Sequence, residues 1–500
     1  MADPLRQIKH IGIVGAGNMG TEMTFGFSEQ GLAVSLWDIS GENVDQALEM
    51  AKNEKNLKGE VKGYHDIHEF VKSLKDAERK VFIFSITHGH PADSVLEKIE
   101  DDLKEGDIIL DGGNENYRNT ERRQKELEQK GVKWIGMGVS GGYQSARRGP
   151  SMSPGGDPEA VNTVLPLLEK FAAKDPKSGK PCVANIGPRG SGHFVKMVHN
   201  GIENGMLSTV CEAWSLMHKS LGMELDEIGK VFEKWNSEGE LEGTYLIQIA
   251  SEICTRKKSP QGDQHGEEKG DPSEHVLDDV LDKGNDGSRA PPHLRPYHRN
   301  RPLLPRRQRG RAQRLKVAKK LKMPQPQKAS DVDKDAFVES LRKAVYASFL
   351  CAFCQGLELI ARASKDEDWN IDLATCIQIW RAGCIIQEDY IANMLQPIFE
   401  SSNERMMNMK LIDEVSADLH KNYEPLKKVV LKGTEWDNYV PSLSASLEYL
   451  KYEGGTMLAT QFMEAEMDFF GAHAFDKANV KGEDPGKASK GKHHYEWRPA

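Results

Sequence analysis

The 500-residue sequence predicts an α/β domain with a parallel sheet over residues 1–188, an all-helical domain over 189–470 and an extended tail over 471–500. Three observations predict it. An apolar run, residues 8–14, ends in Gly15-Ala-Gly17-Asn-Met-Gly20 and is followed by helical spacing (Met23, Phe27) and a second apolar run, residues 33–37. Strand-like runs recur as far as about Pro188 and then give way to long amphipathic patterns. The end of the chain is rich in Gly, Lys and His and has no period.

The first segment reads strand, glycine turn, helix, strand, which is a βαβ unit. Further strands are expected at 81–86, 107–111 and 132–137, with helical patterns between them. Helices over 339–363 and 377–394 dominate the second domain. Residues 284–310 fit neither domain. From Gly287 to Ser330 there is no acidic residue, and Arg289, Arg295, Arg299 and Arg301 alternate with Pro291, Pro292, Pro296 and Pro302. Such a stretch cannot bury a core and is expected to be disordered; a basic arm for RNA or DNA is the lesser reading.

Composition narrows the classes. The formal net charge of −9 excludes a nucleic-acid binder by bulk charge. Seven scattered cysteines point to free thiols in a reducing compartment, hence the cytoplasm. Cys351-Ala-Phe-Cys354 lies in a helical run without a second pair, so it reads as core packing. No apolar stretch approaches the ~20 residues of a membrane span, and no His/Cys cluster calls for a metal.

Gly15, Gly17 and Gly20, with Ala16, Asn18 and Met19 between them, form the fingerprint of a dinucleotide-binding (Rossmann) domain, given a strand before and a helix after. The first glycine permits the tight turn, the second admits a pyrophosphate, and the third lets helix and strand approach. The second strand ends in Asp38, followed by Ile39 and Ser40. A carboxylate there accepts from a ribose 2′-hydroxyl and repels a 2′-phosphate, which favours NAD over NADP; an ordinary turn aspartate is the alternative.

The stretch from Gly190 to Gly205 carries the chemistry. Lys196, His199, Asn200 and Glu203 stand at i, i+3, i+4 and i+7, so they share one helical face. Phe194, Met197, Val198 and Ile202 supply apolar surface beside it. A face of amine, imidazole, amide and carboxylate is costly to bury unless it meets a polar ligand, and an amine with a carboxylate supplies a base and an acid. A solvated helix face is the plainer alternative.

These motifs, with Asp111-Gly-Gly-Asn114, Gly138-Val-Ser140-Gly141-Gly142, Arg342-Lys-Ala-Val-Tyr-Ala-Ser348, Trp380-Arg-Ala-Gly-Cys-Ile-Ile386 and Asp468-Phe-Phe-Gly-Ala-His473, occur in the order of one family. The chain resembles the decarboxylating 6-phosphogluconate dehydrogenases, apart from roughly residues 255–315. The resemblance implies that Lys196 takes the proton of the substrate's 3-hydroxyl as hydride leaves C3, and that Glu203 protonates C1 of the enediol left when CO2 departs, giving ribulose 5-phosphate. It implies that Asn114, Ser140, Gly141, Gly142, His199 and Asn200 hold the sugar acid, and that Asn114 and Ser40 also border the cofactor. It further implies NADP as cofactor and a homodimer in which the tail, with His473, reaches the partner's site.

The sequence departs from the family in two places. Asp38-Ile39-Ser40 replaces an Asn-Arg-Thr that binds the 2′-phosphate, so residue charge speaks for NAD where resemblance speaks for NADP. The substrate phosphate loses its expected tyrosine at Asn204 and arginine at Met467, and the loop and helix that complete its grip fall in the Arg/Pro-rich segment. That segment follows the family-like Val276-Leu-Asp-Asp-Val-Leu-Asp-Lys283, and family-like sequence resumes at Arg311–Leu321, a pattern that reading a coding segment in a shifted frame produces. The sequence therefore predicts an active dehydrogenase for 6-phosphogluconate, with a different sugar acid or a catalytically silent dinucleotide-binding relative as alternatives. The presence of both Lys196 and Glu203 favours the enzyme.

Overall fold

The computed structural model describes residues 8–498 except 76, 261–269, 281–310, 331, 402–405 and 487–490. The Arg/Pro-rich segment 284–310, expected to be disordered, thus lies outside the described residues. Two compact units are present, Met1–Ser446 and Leu447–Ala500.

The larger unit begins with β1 (His10–Val14), α1 (Asn18–Glu29), β2 (Ala33–Trp37), α2 (Gly41–Asn53), β3 (Val61–Tyr64), α3 (Ile67–Lys72), β4 (Val81–Phe84) and α4 (His90–Ile99). β5 (Ile108–Asp111), α5 (Tyr117–Glu128), β6 (Lys133–Ser140), α6 (Gly142–Arg148), β7 (Ser151–Gly155) and α7 (Pro158–Phe171) complete the sheet layer. The strand order is β3-β2-β1-β4-β5-β6-β7. Central strands such as Val81–Phe84 and Ile108–Asp111 are buried along their whole length, as expected when helices cover both faces. Two apolar clusters fill those faces. One joins Ile11, Ile13 and Val34 to Phe27, Leu168 and Phe171; the other joins Val14, Phe82 and Phe84 to Phe70, Val95 and Trp134.

The expected strands near 8–14, 33–37, 81–86, 107–111 and 132–137 are present, and the sheet corrects the expectation in two ways. β3 and β7 are additional, and β7 runs antiparallel to β6, with Gly136 opposite Gly155 and Ser140 opposite Ser151. Both are edge strands. β7 reads Ser-Met-Ser-Pro-Gly and has no apolar run, because an edge tolerates proline and small polar residues that a central strand does not.

Helices then take over: α8 (Ser191–Ser215), α9 (Leu225–Ser237), α10 (Tyr245–Thr255), α11 (Arg311–Leu321), α12 (Lys334–Asp366), α13 (Leu373–Ile379), α14 (Asp389–Ser401), α15 (Asp413–Glu435), α16 (Pro441–Glu453) and α17 (Thr460–Gly471). The helix expected over 377–394 is two helices, α13 and α14. Its interruption contains Gly383 at φ +67°, where a Cβ would lie 2.5 Å from Gly149 O. Close backbone packing overrides helical periodicity there. α12 is long and apolar enough to cross a membrane, contrary to the expectation that no stretch is, but 83% of its apolar window is buried inside the protein. Cys351 and Cys354 lie on this helix as buried free thiols.

In the smaller unit the described residues after α17 contain no helix or strand, only an antiparallel bridge between Phe475 and His493. Asp468 is its polar centre, accepting from His494 Nδ1 (2.9 Å), Trp497 Nε1 (2.8 Å), Tyr495 N (3.1 Å) and Ala474 N (3.0 Å).

Candidate active site

The glycine fingerprint makes the turn between β1 and α1. Gly15 has φ +106°, and a Cβ there would lie 2.3 Å from Ser85 O. A Cβ on Gly20 would come 1.8 Å from Gly15 O, so only glycine lets α1 start so close to the strand. Gly17 faces open space, with nothing within 4 Å of a Cβ, at the helix N-terminus where an anion is favoured. Asp38 closes the turn from β2. Its Oδ2 accepts from Ala16 N at 2.7 Å and its Oδ1 from Ser40 N at 2.8 Å. Asn18 and Met19 open α1 and Ile39 is 82% exposed. These residues fit a dinucleotide.

The polar face of α8 is buried at its centre. Lys196 Nζ lies 3.4 Å from His199 Nδ1, and His199 Nδ1 lies 3.7 Å from a Glu203 carboxylate oxygen. His199 Nε2 meets Ser140 Oγ at 2.9 Å, and Asn200 Nδ2 donates to Asn114 Oδ1 at 3.1 Å. Burial lowers the Lys196 ammonium to about 8, against the opposing pull of Glu203. Burial, and then the neighbouring Lys196, hold the His199 imidazole far below its ordinary value, so it stays neutral beside the amine. Met197 points outward instead of packing beside this face and is 41% exposed.

Glycines let α8 reach the sheet. A Cβ on Gly138 of β6 would lie 2.3 Å from Lys196 Cβ, and one on Gly192 would lie 2.3 Å from both Gly136 O and Ser153 O. Gly141 and Gly142 have φ of +103° and +72° and turn the chain from β6 into α6. The structure thus brings Asn114, Ser140, Lys196, His199, Asn200 and Glu203 together, with Gly141 and Gly142 continuing from Ser140. His473 belongs to the smaller unit, where it stacks edge-on against Phe470 at 5.8 Å.

Sequence reasoning gave no site role to Ser151, Ser153 or Trp380, the last noted only within a family motif, yet all three line a small cavity with Gly138, Lys196 and His199. Ser151 Oγ donates to Ile379 O, tying the interruption between α13 and α14 to the sheet. The Gly136-x-Gly138 alternation on an otherwise apolar strand was the available signal, since it marks one strand face bared for a close neighbour. Asn204, at the expected tyrosine position, turns its amide back onto Asn200 O at 2.7 Å.

Residues 10–187 match the NAD binding domain of 6-phosphogluconate dehydrogenase, and residues 192–289 and 306–497 match the C-terminal domain of the same enzyme. The chain belongs to the 6-phosphogluconate dehydrogenase family. The family match breaks off at 290–305, inside the Arg/Pro-rich segment. A decarboxylating 6-phosphogluconate dehydrogenase of Emericella nidulans is 58% identical over 498 residues, 96% of this chain and 100% of the relative. An NAD(+)-dependent, decarboxylating 6-phosphogluconate dehydrogenase of Bacillus subtilis is 33% identical over 94% of this chain and 97% of the relative. Among solved structures, the Plasmodium falciparum 6-phosphogluconate dehydrogenase, studied with NADP+ and with 6-phosphogluconate, superposes with a TM-score of 0.78 at 28% identity, covering 95% of this chain and 98% of that one. Family members are oxidoreductases that use NAD(P), and the fingerprint turn of this chain is built accordingly.

Proposed function

We propose that the protein converts 6-phosphogluconate to ribulose 5-phosphate and CO2 with Lys196 as base and Glu203 as acid. The observation that carries this reading is a buried lysine, lowered to about 8, on one helical face with a neutral histidine and a carboxylate. When bound, the dinucleotide supplies the acceptor for the hydride at C3. The neutral Lys196 amine takes the 3-hydroxyl proton, and the buried site keeps enough amine unprotonated to do so. The resulting ammonium stays within the field of Glu203, which limits the cost of charging it in the interior. Loss of CO2 from the β-keto acid leaves an enediol, and Glu203 delivers a proton to its C1. Ser140, Gly141, Gly142, Asn114, His199 and Asn200 hold the carboxylate and hydroxyls, with the Ser140–His199 and Asn114–Asn200 contacts fixing their directions.

Gly15 to Gly20 and Asp38 hold the dinucleotide, with Ser40 and Asn114 bordering it. The charge on Asp38, and the absence of a cation at Ile39 and Ser40, support NAD as the preferred form. The working unit is a homodimer in the cytoplasm, with His473 supplied by the partner's tail. Exposure of Phe462 (70%) and Phe470 (73%) on α17 supports a second copy covering that helix. Purified protein given 6-phosphogluconate with NAD or NADP tests the reading: reduced dinucleotide and CO2 appear together, and no turnover with either, despite dinucleotide binding, overturns it.

A further inference from the structure

The loops after β4 and β5 reach the two halves of the site. Ser85, just past β4, donates its N–H to Val14 O at 2.8 Å, and its carbonyl abuts Gly15 of the fingerprint. Asn114, past β5, accepts from Asn200 on α8. A Cβ on Gly113 would lie 3.0 Å from Ile86 O, so the two loops touch.

One buried ion pair holds both. The Arg123 side chain of α5 is fully buried and spends its donors in three directions: Nε to Asp93 Oδ1, Nη1 to Glu115 Oε2 and Nη2 to Gly89 O, each at 2.8 Å. Glu115, the residue after Asn114, accepts from Gly89 N at 2.7 Å on Oε2, and from Asn116 N at 2.7 Å and Asn119 Nδ2 at 2.9 Å on Oε1. Gly89, at φ +85°, is therefore gripped at its N–H by the carboxylate and at its carbonyl by the guanidinium. Stability alone does not require this device, because an apolar pair of similar volume commonly does as well. The bonds on Gly89, in contrast, fix one loop relative to the other, which apolar contacts do less sharply.

We propose that Arg123 and Glu115 are positioning residues that hold the dinucleotide-side loop (residues 85–90) in register with the substrate-side loop carrying Asn114. The proposal rests on the reactive arrangement given under Proposed function. An offset of about 1 Å between reacting partners can cost about 100-fold in rate, so the pair acts on hydride transfer through the two loops it joins.

The test compares Glu115→Gln, Arg123→Lys and the control Glu126→Gln, which removes the exposed Arg122–Glu126 ion pair from the same helix and leaves every partner of Arg123 in place. Each is assayed with 6-phosphogluconate bearing hydrogen or deuterium at C3, with dinucleotide affinity by calorimetry and amide exchange of residues 85–90 in the ligand-free enzyme. Glu115→Gln and Arg123→Lys should lower kcat about 10- to 100-fold, raise the deuterium isotope effect and speed exchange at 85–90, with dinucleotide affinity within about 3-fold. Glu126→Gln should change none of these. Wild-type kcat and isotope effect in both variants, with only the melting temperature lowered, overturns the proposal; should Glu115→Gln not fold, Arg123→Lys decides. An inactive wild type refutes the functional reading instead, and unchanged exchange at 85–90 then overturns this one as well.

Discussion

Lys196, the proposed base, joins reactivity and instability in one atom. Its folded value of about 8 lies below the ordinary 10.5, so folding favours the neutral amine. The stability involved is present above the unfolded value and is lost as pH falls through the folded one; at pH 7 the burden is on the order of 3 kcal/mol. Lys196→Met should therefore raise the melting temperature at pH 7, a gain that shrinks above pH 10, while lowering kcat about 10²- to 10⁴-fold. Melting curves at two pH values, alongside turnover, check both halves. The same titration predicts that kcat/KM of the wild type rises as pH passes through about 8. A profile flat across that range removes Lys196 from the role of base.

The elements are fitted to each other through small residues and helix ends. Gly138→Ala on β6 sets a methyl group 2.3 Å from Lys196 Cβ, so α8 or β6 must move. Overpacking of this kind costs about 1–3 kcal/mol, and chemical denaturation together with kcat should show both stability and turnover reduced. At the far end of α8, Glu212 accepts from Ser442 N (2.6 Å) and Leu443 N (2.9 Å) at the start of α16. Burial raises its carboxyl to about 8 in spite of those bonds. A folded value above the unfolded one gives stability that is full below about pH 4.5 and is lost as pH rises toward 8. Glu212→Gln should flatten the fall of melting temperature between pH 5 and pH 8, and an unchanged slope refutes this account. The starts of α7, α12 and α13 are capped locally by Asp157, Asp333 and Asp372, each accepting from an N–H two or three residues on, whereas this cap comes from a residue 230 positions away.

At the scale of the molecule, two questions concern choice of cofactor and exchange of tails. Ile39→Arg adds a cation beside Asp38 and should raise kcat/KM with NADP relative to NAD; a charged contact of this kind is worth about 1.5–3 kcal/mol, or roughly 10- to 100-fold. No change in the ratio argues against the charge explanation of preference. For the tail, mixing Lys196→Met subunits with His473→Ala subunits, each impaired alone, should restore activity, because a hybrid dimer contains one site with Lys196 and the partner's His473. No recovery on mixing overturns exchange. The break in the family match at 290–305 falls where the helical pattern is lost, so the transcript across codons 284–310 determines whether the chain carries the remaining phosphate contacts.

The layer order, the central strands, the turn at Gly15 to Gly20 and the polar face of α8 were legible in the chain before any folding was known. Each of these is a local pattern, set by apolar period or by a conformation that glycine alone adopts freely. Packing settled that β7 runs antiparallel, that the helix expected over 377–394 breaks around Gly383, and that Ser151, Ser153 and Trp380 join Lys196. The same holds for the clamp of Arg123 and Glu115 on Gly89. Those outcomes depend on which backbone surfaces come within van der Waals distance and on which buried charges find each other, quantities that have no period along the chain. The lowered basicity of Lys196 belongs with them, since burial, not the neighbouring sequence, is its principal cause.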